Sequence, residues 1–242
     1  VNKSPTCCGR ACAELTRSSL TLMAHPGEHH PAFEEYCECI FELREDHLDV
    51  IQARVAERLD VSRPSVSEMI KRMETEGLIR LRGTRIVLTP EGEKLAESVV
   101  RKHRTAERFL TDILGLPWAL AHHEACKWEH VLSPDVEEAI TRLLGNPTTC
   151  PHGNPIPGSN YIEEPTHPLV DVRVGSAFTV SRIPEELEYA PGMLEFLESA
   201  QLTPGVTGTV TTSSADGSLT VRLHDMDVNI TSFASNRILV RA

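Results

Sequence analysis

The chain has 242 residues, 40% of them hydrophobic, and a formal net charge of −11. That length holds two modest domains and that hydrophobic share excludes wholesale disorder. No apolar run is long enough to span a bilayer and the first thirty residues lack the apolar core of a signal peptide, so a cytoplasmic protein with no membrane partner is expected.

Residues 1–30 show no sustained periodicity and read as a flexible extension. Seven cysteines is an odd count, with Cys7, Cys8 and Cys12 crowded there and the rest scattered, unlike a disulfide framework. The terminal Cys and His residues show no familiar zinc-ligand spacing. From Pro31 the pattern turns helical, with Phe33, Tyr36, Ile40, Phe41 and Leu43 at three- and four-residue intervals. A second helix fits Val50 to Leu59. A third follows in DVSRPSVSEMIKRMETEGLI, with Ser62 as N-cap, Pro64 in the first turn and Gly77 at the end. LIRLRGTRIVLTPEG then reads as two short strands joined at Gly83, which makes a winged helix-turn-helix.

A long helix is expected from about Glu91 to Leu114, stopped by GLPW, followed by one holding HHEACKWEHV and another in LSPDVEEAITRLLG. NPTTCPHGNPIPGSNYIEEPTHP is a Pro/Gly-rich linker. Beyond Leu169 come short alternating runs: VDVRV, AFTVSRI, VTGTVTT, SLTVRLH, DVNIT and RILVRA. They predict a small β-barrel, with SADGS as a hairpin turn and a short helical insert over Gly192 to Ala200.

At about 100° per residue, His122, Cys126, Glu129 and His130 share roughly a third of one helix circumference. A buried stripe made of polar groups needs partners, and the preceding helix offers His103 and Glu107 at i, i+4. Carboxylates and imidazoles with one thiolate suit a first-row divalent metal rather than calcium or magnesium. A hydrogen-bond network without an ion is the alternative. HExxH is absent, which leaves a zinc peptidase without support.

Gln52–Arg85 carries eight basic against five acidic residues, a basic island in an acidic chain. Arg54, Arg63, Lys71, Arg72, Arg82 and Arg85 can neutralise phosphates. Ser65, Ser67 and Glu68, early in the third helix, can face base edges, and Ser62 and Pro64 beside them are expected at the DNA as well. An ordinary solvated helical hairpin would show the same charges, but the arginine-rich strand pair favours DNA.

RKHRTAERFL, GLPW, EACKWEHVLSPDVE and NPTTCPHGNPIPG together resemble the diphtheria toxin repressor family of metal-dependent transcriptional regulators, in its three-domain form. The likeness runs from about Phe33 to the C-terminus. It implies a mainly α N-terminal part with a small all-β SH3-like C-terminal barrel. The domains expected are an extension (1–30), a winged helix-turn-helix (31–96), a helical dimerisation and metal-binding domain (97–145), a Pro-rich linker (146–168) and the SH3-like barrel (169–242). It also implies a primary metal site from Cys126, Glu129 and His130 with Glu35 and Glu38 of the first helix. An ancillary site would take His103, Glu107 and His122 with Glu185 and Glu188.

Glu35 stands where iron-responsive members carry methionine, and the Glu35/Glu38 pair matches the manganese-responsive pattern. Hard carboxylates favour Mn(II). Cys126 matches the iron branch, so Fe(II) is the alternative, and Co(II), Ni(II) or Zn(II) are competent in vitro. Glu68 occupies a position held by glutamine in iron-sensing members, and a glutamate accepts from cytosine N4. The expected function is a homodimeric, metal-dependent repressor that binds a palindromic double-stranded DNA operator and controls metal-uptake genes. It is not an enzyme. A metalloenzyme would leave the basic hairpin unexplained, and a metal-independent winged-helix regulator would leave the polar stripe without an ion.

Overall fold

The computed structural model describes residues 31–241; the extension expected over 1–30 lies outside them. The helices are α1 (Pro31–Glu45), α2 (Gln52–Arg58), α3 (Arg63–Thr75), α4 (Pro90–Arg108), α5 (Trp118–Trp128), α6 (Pro134–Leu143), α7 (Glu185–Glu188), α8 (Met193–Ser199) and α9 (Ser232–Ser235). The strands are β1 (Ile79–Arg82), β2 (Arg85–Leu88), β3 (His167–Pro168), β4 (Ala177–Arg182), β5 (Thr207–Ser213), β6 (Leu219–Leu223), β7 (Met226–Ile230) and β8 (Leu239–Arg241). None of these helices is long and apolar enough to cross a membrane. Two compact units divide the chain: one holds the residues up to Ala106 with His122–Ile140, the other Glu107–Ala121 with Thr141 onward.

In the first unit, Ser62 caps α3 by accepting the backbone N–H of Ser65 at 3.2 Å, and Pro64 sits in the opening turn, where a missing N–H costs nothing. The inward face of α3 is Val66, Ile70 and Met73, all at most 1% exposed. Burying each contributes about 1.5–3 kcal/mol and fixes which side of the helix is left for solvent. β1 and β2 pair antiparallel from Ile79↔Leu88 to Arg82↔Arg85, turning at Gly83, whose φ of 63° suits glycine. Ile51 bridges to Arg85, tying the entry of α2 to this wing. Thr89 caps α4 by accepting the Gly92 N–H, with Pro90 and Glu91 in the first turn. Arg104, wholly buried, pairs with Glu45 at 2.6 Å and so locks α4 to the end of α1.

α4 runs unbroken from Pro90 to Arg108, and its continuation is a π-helical turn (Phe109–Ile113) rather than α-helix to Leu114. In the second unit a six-stranded antiparallel sheet has the order β3-β8-β4-β5-β6-β7 around a core that includes Leu169, Phe178, Val180, Val210, Val221 and Val240. This is the small SH3-like sheet domain that the alternating runs predict. One run departs from expectation: VDVRV is not a strand. Leu169–Asp171 form a 3-10 turn whose buried Leu169 and nearby Val172 fill the barrel core. Inward residues three apart fit a 3-10 turn, in which i and i+3 share a face, whereas a strand would turn them to opposite faces.

Candidate metal centre

In the first unit, α1 carries Glu34, Glu35 and Glu38 at three- and four-residue spacing, hence on one face. α4 supplies His103, and α5 supplies His122 and Cys126. Glu129 and His130 follow in the turn after α5, where the Glu129 N–H still donates to the Ala125 carbonyl at 3.0 Å. His103 Nδ1 lies 2.5 Å from Glu129 Oε2 and 4.0 Å from Glu38 Oε1. Ligand atoms of His103, Cys126 and Glu129 all fall within 4.8 Å of one another. His130 Nε2 is 3.2 Å from Glu129 Oε1, and its Nδ1 is 2.7 Å from Glu34 Oε2. The rings of His103 and His122 meet edge to face, centroids 5.1 Å apart.

Exposure of Glu129, His103, Glu38 and Cys126 is 0–3%. Several carboxylates and a thiol packed this closely out of water repel one another unless a cation joins them, so the donor set fits a divalent metal. His130 reports the same field. Burial alone would lower its pKa, but the Glu34 hydrogen bond and the charges of Glu129, Glu34 and Glu35 outweigh it and raise the pKa above the usual value.

A second cluster lies in the second unit. Glu107 on the last turn of α4, Cys150 and His152 offer ligand atoms within 4.8 Å of one another, all at most 1% exposed. Glu188 of α7 joins them: His152 Nδ1 is 2.8 Å from Glu188 Oε2, 3.6 Å from Glu107 Oε1 and 3.8 Å from Cys150 Sγ. The Trp118 ring stands perpendicular to the His152 ring at 4.5 Å. Burial opposes a charged His152, yet Glu188 and Glu107 raise its pKa well above the ordinary histidine value. Burial and Glu107 push the Cys150 thiol up as well, against the opposing pull of His152. Here too a metal ion would replace protons as the compensating charge.

The sequence reading grouped His103 and His122 with Glu107, Glu185 and Glu188. His103 also faces Glu129 and Glu38, with His122 against its ring, and Glu107 and Glu188 also meet Cys150 and His152. Glu185 is buried on the same turn as Glu188. Glu35 is half-buried beside Glu34; Glu34 bonds to His130, and the Glu35 charge also acts on that ring. Cys150, His152 and Glu34 were therefore missed. Cys-Pro-His lies in a turn, closed by the Gly153 N–H donating to the Cys150 carbonyl at 3.0 Å, so only the fold brings its thiol and imidazole together.

Of the expected DNA-facing residues, Ser62, Arg63, Pro64, Ser65, Glu68, Lys71, Arg72, Arg82 and Arg85 are exposed, and Arg54 and Ser67 are half-buried. Four of them also have partners within the fold. The Ser62 hydroxyl shares a 2.8 Å hydrogen bond with Ser65, Arg72 lies over the Phe33 ring at 5.4 Å, and Arg85 pairs with Asp49 at 2.7 Å. Pro64, Glu68 and Lys71 line the α3 face opposite the buried Val66, Ile70 and Met73, with Arg63 and Ser67 at its edge, and that is the face a major groove would meet.

Two family descriptions match consecutive parts of the chain. Residues 30–87 match the family description "Iron dependent repressor, N-terminal DNA binding domain", and residues 89–158 match "Iron dependent repressor, metal binding and dimerisation domain". The chain is 41% identical over 196 residues to the iron-dependent repressor IdeR of Mycobacterium tuberculosis, covering 76% of this chain and 85% of that one. It is 48% identical over 126 residues to the diphtheria toxin repressor of Corynebacterium diphtheriae, covering 52% and 56%. Among solved structures, a manganese-dependent transcriptional repressor in complex with manganese superposes with a TM-score of 0.78 at 29% identity, over 87% of this chain and 99% of that one.

Proposed function

This chain belongs to the iron-dependent repressor family of metal-dependent transcriptional repressors, and from that premise we propose that it is a homodimer that binds a palindromic operator when loaded with Mn(II) and so represses metal-uptake genes. Family members are repressors and not enzymes, which removes the metalloenzyme alternative. The observation that carries the metal assignment is the Glu38 carboxylate, 3% exposed and 4.0 Å from His103, on the helix that leads into the DNA-reading unit.

Glu35, Glu38, His103, Cys126, Glu129 and His130 would hold the activating ion, with Glu34 holding the His130 ring. The ion supplies positive charge that joins α1 to the turn after α5. The chain's own residues do the rest: Arg104 and Glu45 hold α1 and α4 in register, Thr89 and the wing pass that position to α3, and α3 presents Arg63, Glu68 and Lys71 to the duplex. Glu107, Cys150, His152 and Glu188 would hold a second ion in the other unit. Shifting an equilibrium from 1:99 to 99:1 takes about 5.5 kcal/mol of differential binding, a range open to several ions per dimer.

Three carboxylates, Glu35, Glu38 and Glu129, against one thiolate favour Mn(II) at the activating site. Fe(II) is the second reading, supported by Cys126, 3% exposed and within 4.8 Å of its partners, and by relatives named iron-dependent. DNA binding titrated at buffered free Mn(II), Fe(II), Co(II) and Zn(II) tests the choice. Activation by Fe(II) at free concentrations where Mn(II) has no effect would reverse it. Affinity for the tighter-binding ions alone would not, because it follows the Irving–Williams order.

A further inference from the structure

The second cluster has a polar neighbour whose hydrogen-bonding capacity is fully used. Asn154, with no solvent exposure, donates from Nδ2 to Glu188 Oε1 at 2.6 Å and to the Ile183 carbonyl at 3.0 Å. Its Oδ1 accepts from Arg182 Nε at the end of β4. A side-chain amide has two N–H groups and one acceptor oxygen, and each is engaged here. Turning the amide over would set its oxygen against two acceptors and its N–H₂ against a guanidinium, so the surroundings dictate its orientation.

The consequence falls on Glu188. Its Oε1 faces the amide, and its Oε2 faces His152 at 2.8 Å. We propose that Asn154, oriented by Arg182, is a positioning residue that presents Glu188 to the second metal site through one oxygen. This rests on reading Glu107, Cys150, His152 and Glu188 as a metal site. It adds that the barrel presets the ligands. Asn154 and the backbone bond from Ile183 N–H to the His152 carbonyl, 2.8 Å, stitch the Cys-Pro-His-Gly-Asn segment to the residues just after β4. Glu188, on α7, is then held against that segment by the amide. With Glu188 limited to one oxygen, the set becomes one sulfur, one nitrogen and two oxygens. Such a low-coordinate site suits Fe(II), Co(II) or Zn(II) better than Mn(II). The two sites would thus differ in metal preference.

Co(II) is the probe. In the full chain, the part of the thiolate-to-Co(II) charge-transfer absorption that disappears in Cys150→Ser belongs to this site, and competition with a chelator gives its affinity. Asn154→Ala is expected to weaken that affinity roughly 10–100-fold, the usual effect of removing a group that orients a ligand. The same substitution in a Glu188→Ala background should add no more than about a twofold loss, because the residue it acts through is gone. Asn154→Asp keeps an oxygen for Arg182 but loses the donors, so it should show the same loss in a nearly isosteric side chain if the alanine variant folds poorly. Unchanged affinity in a folded Asn154 variant overturns the proposal. So does a full additional loss in the Glu188→Ala background, which would mean that Asn154 acts elsewhere. If the unsubstituted protein has no Cys150-dependent absorption, the metal-site reading itself falls, and this inference with it.

Discussion

His103 Nδ1 and Glu129 Oε2 lie 2.5 Å apart with side chains 3% and 0% exposed, bringing α4 into contact with the turn that follows α5. A buried imidazole–carboxylate contact beside Cys126 and Glu38 is well placed to give way to coordination, both partners turning from each other to one ion. Glu129→Ala should therefore abolish metal response while leaving the helices folded. A ligand at a hundredfold excess over its Kd stabilises a protein by about 2.7 kcal/mol. Calorimetric unfolding with and without Mn(II) should show a stabilisation of that order in the parent protein and little in the variant. An undiminished shift in Glu129→Ala would remove Glu129 from the site.

The exposed face of α3 makes a separable prediction. Arg63→Ala and Lys71→Ala should each weaken operator binding and make the logarithmic dependence of affinity on salt shallower by about one. Metal affinity should be unaltered, since neither residue is among the candidate ligands. Glu68→Gln should instead change sequence preference, measured by selection from random duplexes, with cytosine losing its advantage at the contacted position. An identical selected sequence would show that Glu68 does not meet a base.

Protons and metal compete at both clusters, with a definite sign. The His130 and His152 pKa values are raised in the metal-free fold, so protonation of each stabilises that fold, fully below the unfolded-state histidine pKa and progressively less as pH rises through the raised value. A metal ion must displace the proton from a ring nitrogen it binds. Metal affinity should therefore climb as pH rises from about 6 to 8, by up to about tenfold per unit for each proton released. Isothermal titration in buffers of different ionisation enthalpy counts those protons. Metal uptake without proton release would mean that the histidines are not ligands.

Gly153 should be intolerant of any side chain. Its φ is +88°, and an added Cβ would stand 2.3 Å from the Ser181 carbonyl oxygen, a backbone atom that cannot swing aside. Gly153→Ala must push the His152 segment off the strand it follows, at a cost of about 1–3 kcal/mol. The second site should lose affinity while the first keeps it, as competition with and without Cys150→Ser would reveal. Parent-like stability and affinity would show that the segment is free to shift.

What sequence made legible here is mostly local. Ser62, Pro64, Gly77 and Gly83 mark the ends of α3 and the wing turn through capping, a fixed φ and a positive φ, and the structure has each where expected. The Cys126, Glu129, His130 stripe could be read because helical spacing alone brings those residues to one face. The partner of each ligand depends on tertiary packing. His103 and Glu107 are one turn apart on α4, which suggests a shared site, but only packing shows that His103 also faces Glu129. Adjacent Glu34 and Glu35 differ by about 100° around α1, a difference that spacing does not resolve without the position of His130. Cys150 and His152 went unread as ligands because their proline- and glycine-rich surroundings suggest a connector. The bridge between Thr149 and Pro155 and the hydrogen bonds to Ile183 give that segment its shape.

The most direct test measures affinity for one duplex, selected from a random pool in Mn(II), by fluorescence anisotropy at fixed ionic strength, first with a chelator and then with saturating Mn(II). Metal that joins α1 to the turn carrying Glu129 and His130 should tighten binding by orders of magnitude, and Glu38→Ala should erase the gain without changing the chelator value. Equal affinity in chelator and in Mn(II) would contradict metal control of DNA binding in this protein.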